Sequence, residues 1–205
     1  MKRCPLCHST DLKEIANSFY DCSQCRGIFR DSSDHLSPTD EKARYDTHNN
    51  DVNDEGYQNF VSPITNAILK DFTSHHKGLD FGAGPGPVIS KMLNEQNYQI
   101  VQYDPFYAPK PELLKGTYDY IACCEVVEHF ADPAREFALL NKLLKPGGRL
   151  YIMTDIYREQ SPFLEWYYKD DPTHVFFYRE ETFRWLKEAY NFNLLRIEGR
   201  LVVLQ

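Results

Sequence analysis

The chain has 205 residues, a formal net charge of −7, 42% apolar and 26% charged residues, which describes an ordinary globular protein of one medium domain plus a small appendage. The acidic balance argues against broad phosphate-driven nucleic-acid binding, which needs clustered Lys and Arg. No apolar run approaches a membrane span and the N-terminus MKRCPLCHS lacks the apolar core of a secretory signal, so no membrane association and a cytoplasmic location are expected.

Residues 1–31 hold Cys4-Pro-Leu-Cys7 and Cys22-Ser-Gln-Cys25, two CxxC knuckles 14 residues apart. Each knuckle sets two thiolates on one side of a tight turn, and two such turns complete a tetrahedral Cys4 site for zinc. The segment is too short to bury a core of its own, so the metal would supply its folding energy, and a closed four-thiolate site is structural rather than catalytic. A cytoplasmic setting argues against two disulfides in its place. Residues 32–55 are polar and read by composition as a linker. Residues 56–76 place Phe60, Ile64, Ala67, Ile68 and Phe72 at helical spacing, a helix that precedes the first strand of the main domain, 56–205.

The next stretch is Leu79-Asp-Phe-Gly-Ala-Gly-Pro-Gly86, a short strand ending on an acid, then glycines at every second position, then the helical pattern Val88, Ile89, Met92, Leu93. Such a loop turns sharply, lets a ligand approach bare main chain, and presents N–H groups at a helix start. The spacing is D-x-G-x-G-x-G rather than the dinucleotide G-x-G-x-x-G. An alternating strand follows, ending on Asp104, about 20 residues beyond the loop, where a carboxylate is placed to accept from ribose hydroxyls. The segment from Pro105 to Thr117 carries three prolines and is too short for a full strand and helix. Residues 118–130 read as a buried strand running into a helix, with Cys123 and Cys124 as inert apolar residues. An amphipathic helix over 131–145 leads through Lys145-Pro-Gly-Gly148 into a strand, and the chain closes with NLLRIEGR and LVVLQ, a pair of antiparallel strands with no further domain expected after them.

Asp80, Gly82, Gly84, Gly86, Asp104 and LLKPGGRLYI, in that order over 79–154, resemble the class I S-adenosylmethionine (SAM) methyltransferases. The resemblance implies an α/β fold, a Rossmann-like sheet with an antiparallel C-terminal hairpin beside the small N-terminal zinc ribbon. It implies SAM as cofactor, with those five residues at its site; the segment from Pro105 to Thr117 departs from the family's pattern, which has a third strand unit there, and reads as trimmed. In that family the segment before the core often folds over the cofactor, which makes Tyr45 and His48 lid candidates.

Glu125, Glu128 and His129 form ExxEH, which would share one helical face at the carboxyl end of the sheet. The motif resembles that of metal-dependent O-methyltransferases, the small-RNA 2′-O-methyltransferases and the ubiquinone-pathway catechol enzymes. In the small-RNA enzymes a distant histidine before an aromatic and a helix completes the site, and His174 stands in a similar context here. Two readings stay open. Glu125, Glu128, His129 and His174 hold Mg2+ or Mn2+, which lowers the pKa of an acceptor hydroxyl; or Glu125, His129 and His174 line the pocket and act by general base catalysis without metal. Trp166, Tyr167 and Tyr168 are candidates for the acceptor wall. The acidic charge favours a small-molecule hydroxyl as acceptor. Methylation of RNA held by the basic ribbon residues Lys2, Arg3, Lys13, Arg26 and Arg30 is the alternative, and a non-catalytic SAM-binding scaffold is a third.

Overall fold

The computed structural model describes residues 2–16, 18–47 and 51–205; His48 lies outside them. In chain order come β1 (Leu12–Ala16), β2 (Phe19–Cys22), β3 (Ile28–Arg30), α1 (Pro38–Tyr45), α2 (Glu55–Asp71), β4 (Lys77–Phe81), α3 (Val88–Glu95), β5 (Gln99–Tyr103), β6 (Tyr118–Cys124), α4 (Pro133–Leu143), β7 (Leu144–Met153), β8 (Phe176–Phe177), α5 (Glu180–Ala189), β9 (Leu195–Glu198) and β10 (Leu201–Leu204). The main sheet has the order β5-β4-β6-β7-β10-β9. Strands β5, β4, β6 and β7 are parallel, and β10 runs antiparallel to both neighbours. This is the expected Rossmann-like sheet closed by an antiparallel pair. Among the described residues no helix is long and apolar enough to cross a membrane.

The period-2 alternation of side chains sorts each central strand between two cores. Tyr120, Ala122, Tyr151, Leu201 and Val203 face Val61, Ile64, Ile68, Val88 and Leu93 of α2 and α3. Ile121, Cys123, Leu150, Ile152, Val202 and Leu204 face Phe137, Leu140, Phe183 and Leu186 of α4 and α5. Helix α2 starts where Asp54 accepts from the Tyr57 N–H, and α1 where Ser37 accepts from the Asp40 N–H with proline at its first turn.

Between β5 and β6 lie only the single bridge Asp104–Ala108 and a 3-10 turn, Pro111–Lys115. Pro105, Pro109 and Pro111 have no N–H to donate to a ladder, which accounts for the missing strand unit. After β6 the expected helix does not start. The Glu125 N–H donates to the Met153 carbonyl at 2.8 Å, which prolongs the ladder by one residue, and Glu125 takes φ +51. The chain then makes a short 3-10 turn, Val127–His129. The Lys145–Gly148 turn is absorbed into β7, whose register slips between the pairs Tyr118–Leu144 and Tyr120–Arg149.

The N-terminal strands are not a separate sheet. The second sheet has the order β1-β2-β3-β8, so its fourth strand comes from the C-terminal part of the chain, with Ile28 opposite Phe177 and Phe29 opposite Phe176. Cys4, Leu6, Cys22, Cys25 and Phe29 belong to the same core as α4 and α5. Gly27 admits the Phe176 ring, which stands 2.4 Å from where a Cβ would be. Arg179, 5% exposed, donates through Nη1 and Nη2 to the Asp21 carboxylate at 3.1 and 2.8 Å across the junction.

Candidate active site

A cleft of about 1050 Å³ opens at the carboxyl ends of the parallel strands. One wall is main chain. Gly82 (φ +75) and Gly84 (φ +63) turn the loop after β4 in the left-handed region open to glycine. A Cβ at Gly82 would meet Val126 at 2.5 Å, whereas Gly84 faces open space. The Gly82 N–H donates to the Tyr103 carbonyl, and the Gly84 N–H donates to Asp104 Oδ2 at 2.9 Å. Asp104 Oδ1 accepts from the Phe106 and Tyr107 N–H groups at 2.8 and 2.9 Å. The carboxylate thus ties the glycine loop to the end of β5, at the cleft. Asp80 and Gly86 sit behind the loop, at a small depression beside the start of α3. Burial pushes the Asp80 carboxyl up to about 6, and Ser90 Oγ donates to it at 2.7 Å.

The other wall is made of side chains. Glu128 is fully buried, and Thr154 Oγ1 donates to its Oε2 at 3.0 Å while the Tyr168 hydroxyl donates to Oε1. His129 Nδ1 lies 2.9 Å from the Thr173 carbonyl and His174 Nδ1 lies 2.6 Å from that of Tyr168. A carbonyl only accepts, so each ring carries its proton on Nδ1 and its lone pair on Nε2. The two rings stand 4.9 Å apart. One ligand atom each of Glu128, His129 and His174 falls within 4.8 Å of the others. Burial, with His129 next to it, pulls the His174 imidazole down to about 4. Burial likewise raises Glu128 and Glu125 above the ordinary carboxylate range, Glu125 further through the neighbouring Glu128.

Glu125 is drawn elsewhere. Arg200 Nη2 donates to both its oxygens, at 2.8 and 2.7 Å, and the guanidinium lies over the rings of Phe60 and Tyr168. Tyr167 and Tyr168 line the cleft, while Trp166 packs on Tyr157, Phe163 and Phe177. Helix α1 adds Glu41, Arg44 and Tyr45 to the lining. The Tyr45 ring meets His129 edge-on at 5.2 Å, Arg44 pairs with Asp171 at 2.8 Å, and the Tyr107 hydroxyl donates to Asp46 at 2.6 Å. Thr154, Asp171 and Arg200 had no signal in the sequence, because each is brought in by strand pairing or a loop far away in the chain.

The four thiols of Cys4, Cys7, Cys22 and Cys25 also converge, with Sγ–Sγ distances of 3.5 Å (Cys4–Cys25) and 3.4 Å (Cys7–Cys22). A disulfide needs about 2.05 Å. Zinc–sulfur bonds of about 2.3 Å place tetrahedral sulfurs about 3.8 Å apart, close to what is found. The two knuckles repeat one turn: the residue after each second cysteine, His8 and Arg26, has φ 61, and its N–H donates to the carbonyl of the first cysteine at 2.9 Å. The donor set fits a structural tetrahedral ion.

A methyltransferase-domain family matches residues 53–197. The ubiquinone biosynthesis O-methyltransferase of Acinetobacter baumannii is 34% identical over 80 residues, 38% of this chain and 33% of that protein. The enzyme of that name from Sodalis glossinidius is 32% identical over 77 residues, 38% of this chain and 31% of that protein. The matched stretch is therefore about a third of these relatives. Among solved structures, a SAM-dependent methyltransferase from Archaeoglobus fulgidus superposes with a TM-score of 0.55 at 22% identity, over 69% of this chain and 72% of that one. Human N-acetylserotonin methyltransferase in complex with SAM gives 0.54 at 14%, over 73% and 53%. These structural likenesses are of fold.

Proposed function

Since the chain belongs to the SAM-dependent methyltransferase-domain family, we propose that it transfers a methyl group from SAM to a hydroxyl of a small molecule, at the end of the cleft lined by His129 and His174. What carries this reading is that one cleft has the Gly82–Gly84–Asp104 wall on one side and two imidazoles with Nε2 lone pairs on the other. The bare main chain of the glycine loop and Asp104 face the cofactor, with Asp104 Oδ2 as the ribose acceptor. When bound, SAM supplies a methyl group already activated by its sulfonium. The chain's own part is positioning and proton removal. His129 or His174 takes the acceptor proton on Nε2, and burial keeps the His174 base unprotonated at neutral pH.

The donor set also suits a divalent ion held by Glu128, His129 and His174, since metal-bound histidines commonly donate their other N–H to a backbone carbonyl. Such an ion supplies a lowered pKa to a bound hydroxyl. Glu125 has its carboxylate on Arg200 and stands outside that set. Zinc is the ion proposed for Cys4, Cys7, Cys22 and Cys25. Against RNA as acceptor, three of the ribbon's basic residues are engaged within the molecule: Lys2 with Asp31, Arg26 with Glu159, and Arg30 with backbone carbonyls.

Labelled SAM incubated with RNase-treated small-molecule extract should give labelled product. His174→Gln should slow this by about 10²–10⁴-fold and leave SAM affinity within about threefold. Inhibition by EDTA that Mg2+ or Mn2+ reverses selects the ion-assisted route; labelling that survives EDTA selects the base. Label confined to RNA, or His129→Gln and His174→Gln enzymes both as fast as wild type, sinks the proposal.

A further inference from the structure

Arg30, the last residue of β3, lies outside the cleft lining, yet its guanidinium collects the backbone behind it. Nη2 donates to the Lys169 carbonyl at 2.8 Å and the Asp171 carbonyl at 3.4 Å, and Nε donates to the His174 carbonyl at 3.3 Å. Its own N–H donates to the Val175 carbonyl at 2.9 Å, and its guanidinium lies 4.8 Å over the Phe19 ring. The segment it gathers, 168–174, has little regular structure beyond a 3-10 turn at Tyr167–Asp170. The same segment supplies the two carbonyls, of Tyr168 and Thr173, that hold the Nδ1 protons of His174 and His129.

A chain of contacts thus runs from the four-cysteine cluster to the imidazoles. Cys22 and Cys25 fix the turn from which β3 leaves, with the Cys22 N–H donating to the Gly27 carbonyl at 2.9 Å. Strand β3 is locked to β8 by Ile28 and Phe29. Arg30 at its end pins three carbonyls of the 168–174 segment, and that segment orients both rings. Only a guanidinium offers enough N–H groups in a fixed fork to serve carbonyls on several residues at once.

We propose that Arg30 is a positioning residue for the acceptor wall, and that through it the four-cysteine sheet acts as a strut that sets the orientation of His129 and His174. This rests on the reading of those imidazoles as the acceptor end of the cleft. The strut serves one wall only: the Gly84–Asp104 contacts involve no residue of β1, β2 or β3.

The test compares wild type, Arg30→Gln and Arg30→Lys on the full chain. The first readout is the imidazole N–H resonance of His174, which a hydrogen bond to a carbonyl protects from exchange and which needs no acceptor to be known. Arg30→Gln should lose or broaden it, keep zinc content and hold SAM affinity within about threefold. Its kcat should drop about 10–100-fold while KM changes less, as expected for a displaced reacting group. Arg30→Lys keeps the charge over Phe19 but reaches fewer carbonyls, so it should fall between the two, and it carries the comparison if Arg30→Gln does not fold. A protected His174 N–H at its wild-type position in both variants overturns the proposal, as does a loss of SAM affinity in step with methyl transfer. If wild type labels no RNase-resistant acceptor, the reading of the cleft fails while the resonance still decides the role of Arg30.

Discussion

The two walls of the cleft are built by opposite means. The proposed cofactor wall is main chain, contained in the 31 residues from Lys77 to Tyr107: two parallel strands, a glycine loop, and one carboxylate that gathers N–H groups from Gly84, Phe106 and Tyr107. The acceptor wall is side chains from five separated places: Tyr45 on α1, the Val127–His129 turn, Thr154, the 168–174 segment and Arg200, with Arg30 of β3 behind them. The first wall needs only local geometry. The second depends on the packing of the whole chain, including the N-terminal strands, and damage to distant residues should fall on it selectively.

The largest expected effect tests that dependence. Cys25→Ser should abolish the zinc, expected at one per chain. Structural zinc is worth about 10–16 kcal/mol in isolated fingers, so the N-terminal sheet should lose its cooperative fold. Because β3 carries β8, His174 should be released as well. Melting should begin on the order of 10 °C lower, methyl transfer should vanish, and calorimetry should still show SAM binding. An equal loss of SAM affinity would erase the distinction between the walls, and a variant without zinc that melts normally would remove the strut.

Asp104→Ala is the converse experiment. It strands three N–H donors and removes the proposed ribose acceptor, so SAM should bind about a hundredfold to a thousandfold more weakly, about 3–4 kcal/mol. The His174 imidazole resonance should stay where it is. Normal SAM affinity in this variant would remove Asp104 from the cofactor site.

The same contrast explains what could be read in advance. The sheet, the glycine loop, the antiparallel closure and the trimmed segment after Asp104 were legible because each is written in contiguous residues: period-2 strands, glycines at fixed spacing, three prolines in a row of thirteen residues. The convergence of Glu128, His129 and His174 was legible through a motif, though the helix assumed to present it is absent. The β6–β7 ladder runs on through Glu125, so that carboxylate leaves the 3-10 turn and meets Arg200. Composition made residues 32–55 a linker and the family resemblance made Tyr45 a lid candidate, but neither announced the capped α1 that puts Tyr45 against His129. Nothing in the first 31 residues announced that their sheet would take a strand from 176–177, since Phe176 and Phe177 read equally well as core.

The smallest expected effect concerns the acid at the end of β4, which the D-x-G-x-G-x-G pattern places at the cofactor and the structure places behind the loop, bonded to Ser90. Its carboxyl is raised from 3.8 to about 6, chiefly by burial. The folded protein therefore binds a proton between those values that the unfolded chain does not. This group's contribution to stability is complete below about pH 4 and is lost as pH rises through about 6, up to about 3 kcal/mol in all. Asp80→Asn has no such proton. Urea unfolding of the two proteins from pH 4 to pH 7 should show wild type losing stability relative to the variant across that window, by up to that amount. SAM affinity of Asp80→Asn at pH 7 should stay within a few fold of wild type, in contrast to Asp104→Ala. Parallel stability curves would mean that Asp80 is charged throughout, and a hundredfold loss of SAM affinity would make it a ligand, extending the cofactor wall to the back of the loop.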